Sequence, residues 1–170
     1  DPRYFDPTRL PVRPVGEAPV FGYIGTLNTG FPLEGLLTGW TEARGTVIPA
    51  DSRLPMIGGL GYREQSASQR ELLRSAAHAG VELHGSVPKT GVPDAYAQCD
   101  VLVFSREGGG LVTSGKIYEY LASGLPIAAV VPAQHDSRRV LAGAPRAHVA
   151  DSTDPDAWVT VLAAALADAR

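Results

Sequence analysis

The chain has a single cysteine, Cys99, among its 170 residues. It can therefore form no internal disulfide and gather no cysteine cluster around a metal. His78, His135 and His148 are scattered and fit no ligand spacing, and His84 at a strand end reads as packing or surface more readily than as a ligand, so no metal site is expected. No apolar run approaches the roughly 20 residues that span a bilayer. The opening "DPRYFDPTRL" has no charged-then-apolar leader, which makes a cytoplasmic setting the expected one. Basic blocks are missing as well. Fifteen Lys and Arg stand against eighteen Asp and Glu, for a net charge of -3, and this balance does not suit a nucleic-acid partner.

What is present suits one folded domain. At 44% hydrophobic, 170 residues can bury one core of ordinary size. Residues 1–19 carry five prolines with no periodic pattern and read as an extended connector, leaving 20–170 as the domain. A connector at the very start, with no Met before it, suggests a piece of a longer protein.

From Val20 onward, apolar runs alternate with helical patterns. Strands are expected at 20–25, 53–59, 81–85, 100–105, 126–131 and 147–150. Helices are expected at 33–43, 66–80, 92–99, 115–124, near 134–142 and at 154–169. Six strands separated by helices, several of them near-continuously apolar, predict a Rossmann-like, doubly wound parallel sheet covered on both faces. Such sheets bind ligands beyond the carboxyl ends of their strands, where the strand order reverses.

The loop after "DVLVFS" lies at such an end and reads "REGGGLVTSGK". Gly108, Gly109 and Gly110 let the backbone approach a ligand closely. The helix that follows, starting near Ser114 or Gly115, offers unpaired amides and the positive end of its dipole. Thr113 and Ser114 add hydroxyls, Lys116 adds a charge, and Glu119 stands on the same helix face at i,i+3. Taken singly, each has a structural reading: a tight turn, a helix cap, an exposed ion pair. Together they converge on a bound phosphate, with Glu119 placed to accept from the ribose hydroxyls of a nucleotide.

Other phosphate loops do not fit. A Walker A loop needs Ser or Thr after its lysine, and Ile117 stands there; "GYIGTLNTG" after the first strand has the wrong spacing for a dinucleotide fingerprint. The same stretch has no acidic cluster for a phosphoacceptor.

"SGKIYEYLASGLPIAAV" resembles the Lys-x-x-Glu-Tyr-x-Ala-x-Gly-x-Pro motif of nucleotide-sugar-dependent glycosyltransferases of GT-B architecture, the retaining group 1 or family 4 type. "VELHGSVPKTGVPDAYAQCDVLVF" is similar to the strand, Gly-x-Val-Pro turn, short helix and strand upstream of that motif, and "DPRYFDP" looks like the connector into the C-terminal domain. The resemblance implies the donor-binding half of a GT-B enzyme. It would take a UDP or GDP sugar, with an N-terminal half binding the acceptor, whether glycan, lipid or small molecule. It also implies a hexosyltransferase that needs no metal or cofactor, is inactive as this fragment alone, and in full length can lie at a membrane surface.

By position, Glu119 would bind ribose, and Gly109, Gly110, Leu111, Val112, Thr113, Ser114 and Lys116 would bind the diphosphate. The backbone of Gly85, Ser86 and Val87 would face the base, with Gly25 also among the binding residues; Lys116 and Glu107 are the candidate catalytic groups. The chain departs from the family pattern in two places. Many members have a first Glu eight positions before the second, where this chain has Leu111, and Glu107 lies twelve positions before Glu119. Many also carry an Arg and a Lys after the first strand, where this chain has Thr26 and no lysine, which leaves Lys116 as the main charge on the diphosphate. A non-catalytic nucleotide-sugar binding module of the same fold is the alternative.

Overall fold

The computed structural model describes residues 14, 16–27, 31–59, 67–106 and 115–169. Strands β1 (Phe21–Ile24), β2 (Leu54–Ile57), β3 (Val81–His84), β4 (Val101–Ser105), β5 (Ile127–Val130) and β6 (Ala147–Ala150) form one sheet. Helices α1 (Leu33–Ala43), α2 (Ala67–Ala77), α3 (Val92–Ala97), α4 (Gly115–Ser123), α5 (Asp136–Ala142) and α6 (Pro155–Ala169) alternate with them. All pairings are parallel, in the order β3-β2-β1-β4-β5-β6. This is the doubly wound, Rossmann-like sheet that the sequence predicts, and its order reverses between β1 and β4. A 3-10 turn at Lys89–Gly91 before α3 was not expected. The expected connector falls largely outside the described residues.

The central strands β1, β4 and β5 are buried on both faces, as their apolar runs require, while the edge strands β3 and β6 are only partly covered. Alternate side chains feed two cores. On one face, Phe21, Tyr23, Leu54, Met56, Val101 and Val103 pack against α1, α2 and α6. On the other, Ile24, Leu102, Phe104, Ile127 and Ala129 pack against α3, α4 and α5. Helix α1 lies so close to α6 that a Cβ added at Gly39 would stand 2.6 Å from both the Pro155 carbonyl oxygen and Trp158 Cβ. Trp40 meets Phe21 edge-on at 5.2 Å and donates from its indole to the Ala79 carbonyl at 2.7 Å. Asp100 accepts from the Val20 amide at 2.8 Å, tying the start of β4 to the start of β1.

Candidate functional site

The two central strands part at their carboxyl ends. Pairing of β1 with β4 runs through Phe21 with Val101 and Gly22 with Leu102, and the described ladder stops there, whereas β1 stays paired with β2 as far as Ile24 with Ile57. The amides of Phe21 and Gly25 donate to the β2 side, to Arg53 at 2.8 Å and Ile57 at 2.7 Å. By alternation, the amide and carbonyl of Ile24 face the β4 side, in the fork.

Side chains of α4 fill that fork. Helix α4 starts at Gly115 and buries Ile117 and Tyr120 in the core beneath it. Its i,i+4 pair, Lys116 and Tyr120, therefore points at the end of β1. The Ile24 amide donates to the Tyr120 hydroxyl at 3.0 Å, and that hydroxyl lies 3.3 Å from the Ile24 carbonyl. Lys116 Nζ also donates to the Ile24 carbonyl. Backbone groups that would otherwise be buried without partners are thereby satisfied. Gly25 follows with φ +149, and a Cβ there would fall on the Lys116 side chain. Only glycine combines that backbone with that neighbour.

The charges are close together. Lys116 Nζ stands 5.8 Å from the Tyr23 ring centre and 5.9 Å from that of Tyr120. Burial depresses the Lys116 amine from 10.5 to about 8; the Glu119 carboxylate pulls it upward, and the Arg106 guanidinium pushes it further down. Burial also raises the Tyr23 hydroxyl to about 12, partly countered by Arg106, and holds Tyr120 well above its ordinary range. Exposed Glu119 accepts from the Tyr96 hydroxyl at 3.2 Å, and burial, followed by the Glu119 charge, raises the pKa of Tyr96. Protonated, Tyr96 acts as a hydrogen-bond donor that orients the carboxylate.

Gly25, Gly85 and Ser86 line one pocket of about 310 Å³, together with Tyr23, Met56 and Leu83, at the carboxyl ends of β1 to β3. Its size falls at the low end of ligand pockets. Gly25 thus borders both this pocket and Lys116. Val87 instead lines a neighbouring depression of about 420 Å³ with Asp94 and Cys99, and stands 39% exposed. Glu107, Gly109, Gly110, Leu111, Val112, Thr113 and Ser114 lie outside the described residues. Exposed His84 sits 3.3 Å from Glu82. Among the described residues, no group of three or more His, Cys, Asp or Glu could hold a metal ion, and no helix is long and apolar enough to cross a membrane.

Three residues at the fork carry no role in the sequence reading: Tyr96, Tyr120 and Arg106. For Tyr120 there was a signal, since it follows Lys116 by four residues and shares its helix face. Arg106 follows the last residue of β4, beside the glycine loop, and its charge reaches both Tyr23 and Lys116. Tyr96 has no local signal, because its partner Glu119 is 23 residues away.

Comparison with solved structures places the fold among GT-B domains. Sucrose-phosphate synthase from Thermosynechococcus elongatus superposes with a TM-score of 0.67 at 16% identity, over 90% of this chain and 37% of that one. The HepE protein of Anabaena, solved in complex with UDP-glucose, gives 0.65 at 14% identity over 91% and 44%. The C-terminal domain of a glycosyl transferase group 1 family protein, LpcC from Francisella tularensis, gives 0.66 at 14% identity over 88% and 80%. At such identities the likeness is one of fold, and the chain spans 37% and 44% of the first two proteins. No curated protein matches the sequence. Residues 18–168 match the model of the glycosyl transferases group 1 family, so the chain belongs to that family.

Proposed function

We propose that this chain forms the donor-binding part of a glycosyltransferase that moves a sugar from a nucleoside diphosphate sugar to an acceptor held by a second domain. The observation that carries the reading is the presence of Lys116 and Glu119 one turn apart at the start of α4, over the fork between β1 and β4. The first amides of a helix have no intrahelical partner and its dipole is positive at that end, so the start of α4 favours an anion. Lys116 and Arg106 add full charges, and Glu119, oriented by Tyr96, is free on its exposed side to accept from ribose hydroxyls. The pocket at Gly25, Gly85 and Ser86 adjoins this charge. The neighbouring HepE protein was solved with UDP-glucose, which supports a UDP sugar as the first donor to test.

In the proposed reaction the bond between the anomeric carbon and the diphosphate oxygen breaks. The acceptor oxygen takes its place on the same face of the sugar, its proton passing to the departing diphosphate, and the configuration is retained. Negative charge grows on the departing diphosphate, beside Lys116, Arg106 and the positive end of α4, so stabilisation is electrostatic. The same charges do the work of a bridging metal cation. Glu107, carried by the glycine loop, is the proposed contact to the donor sugar. Residues 1–19 serve as the connector from the acceptor half, and the enzyme works in the cytoplasm. Alone, the chain binds donor without turning it over.

The test is thermal unfolding with UDP, GDP and ADP at millimolar concentration. A ligand that binds only the folded state stabilises it by about 2.7 kcal/mol at 100 times its Kd. At least one of the three should raise the melting temperature, with EDTA making no difference. No shift with any of them would refute the reading, and a shift abolished by EDTA and restored by magnesium would refute its metal independence.

A further inference from the structure

We propose that Tyr120 is a positioning residue for diphosphate binding: its hydroxyl stands in for the β4 partner that Ile24 lacks and so fixes where the Lys116 ammonium is held. This rests on the fork between β1 and β4 being the diphosphate site.

The ring of Tyr120 needs no hydroxyl for its packing. It is fully buried, edge-on to Tyr96 at 5.7 Å and to Phe104 at 6.1 Å, contacts that a phenylalanine would also make. The hydroxyl adds its contacts to one backbone residue 96 positions away, accepting from the Ile24 amide and lying within reach of the Ile24 carbonyl. In a parallel ladder those groups would be bonded to β4, but β4 has already diverged. The side chain thus does in the fork what a neighbouring strand does elsewhere.

The consequence falls on Lys116. A carbonyl oxygen has two lone pairs, and that of Ile24 faces two donors, the Tyr120 hydroxyl and the Lys116 ammonium. With Tyr120 in place, the ammonium is held against Gly25, where no Cβ stands in its way. An ammonium has three N–H donors and gives one to Ile24, which leaves two for phosphate oxygens without any movement of the side chain. Without the hydroxyl, the Ile24 amide is buried with no acceptor, the end of β1 shifts to find one, and the ammonium moves with it. Tyr120 touches no part of the ligand in this account.

The experiment is titration calorimetry of UDP and uridine, or GDP and guanosine where those bind tighter, into wild type, Tyr120→Phe, Lys116→Ala and the double variant. Tyr120→Phe should weaken nucleoside diphosphate binding about tenfold, in line with loss of a buried hydrogen bond that leaves a backbone amide unsatisfied, and leave nucleoside binding unchanged. In the Lys116→Ala background it should cost nothing further, because its effect passes through the lysine. A purely structural tyrosine would weaken both ligands alike or act additively with Lys116→Ala, and either result overturns the proposal, as does wild-type affinity in Tyr120→Phe. If wild type binds no nucleotide at all, the donor-domain reading falls, and this inference with it. Amide exchange on the unmodified chain is an independent check. The Ile24 amide should be as protected as that of Gly22, and fast exchange at Ile24 would also overturn the proposal.

Discussion

The two faces of the sheet bury side chains to the same depth by different means. Under α1 and α6, Trp40 and Trp158 are fully buried, the helices touch through Gly39, and packing is almost wholly apolar. Under α3 and α4, Tyr96 and Tyr120 are buried just as deeply, but their hydroxyls engage Glu119 and the Ile24 backbone, and a lysine amine is drawn in beside them. The first face yields hydrophobic and dispersion energy, offset at Trp158 by an indole N–H that is buried without a hydrogen-bond partner among the described residues. The second spends part of that gain on desolvating a charge, which shows in the depressed Lys116 amine. Substitutions on the two faces should therefore move different observables.

The largest expected effect is on stability. Trp158→Ala removes a fully buried indole from the contact between α1 and α6 and should cost about 3 to 5 kcal/mol in denaturant unfolding. Nucleotide affinity of the fraction still folded should be unchanged. A loss of affinity in proportion to the loss of stability would show that the two faces do not work separately.

A smaller effect should appear with pH. The Lys116 amine titrates at about 8 in the folded chain against an ordinary 10.5, so between these values the unfolded chain holds a proton that the folded chain has released. Stability contributed by this group is therefore lowest below about 8 and rises as pH increases toward 10.5. Diphosphate affinity should move the other way, falling about tenfold one pH unit above the amine's pKa as the charge is lost. The terminal phosphate, whose second ionisation lies near about 6 in phosphoesters, is already fully charged there. Wild type minus Lys116→Ala isolates the group. If both differences stay flat across the window, the buried-ammonium account is wrong.

Much of the fold was legible because several strands are near-continuous apolar runs and the helices between them carry a clear period. The ends were less so, for local reasons. The strand expected at 53–59 spans Leu54–Ile57, since Arg53 makes only an isolated bridge to Val20 and Gly58, at φ +144, leaves the extended region. The helix expected at 66–80 ends at Ala77, where His78 and Ala79 close i to i-3 turns before Gly80 at φ +78. In the site, Lys116 and Glu119 stood out because their spacing lies within one helix. Tyr120 stood beside them without a role, since its task depends on backbone groups of another strand that face away from β2, and no local pattern tells which strands will diverge. Arg106 was missed for a similar reason: its relation to Lys116 exists only once β4 and α4 are folded together.

The central claim is that the fork reads a nucleoside diphosphate in two parts, phosphate by Lys116 and ribose by Glu119. Calorimetric titration of nucleoside diphosphate and nucleoside into Lys116→Ala and Glu119→Gln tests it most directly. Glu119→Gln should weaken both ligands about 10- to 100-fold, since hydrogen bonds to a charged group contribute about 1.5 to 3 kcal/mol and each tenfold is about 1.4 kcal/mol. Lys116→Ala should weaken the diphosphate by a similar factor and leave the nucleoside almost untouched, with neither variant melting much below wild type. Equal losses for both ligands in Lys116→Ala, or wild-type binding in Glu119→Gln, would contradict the account.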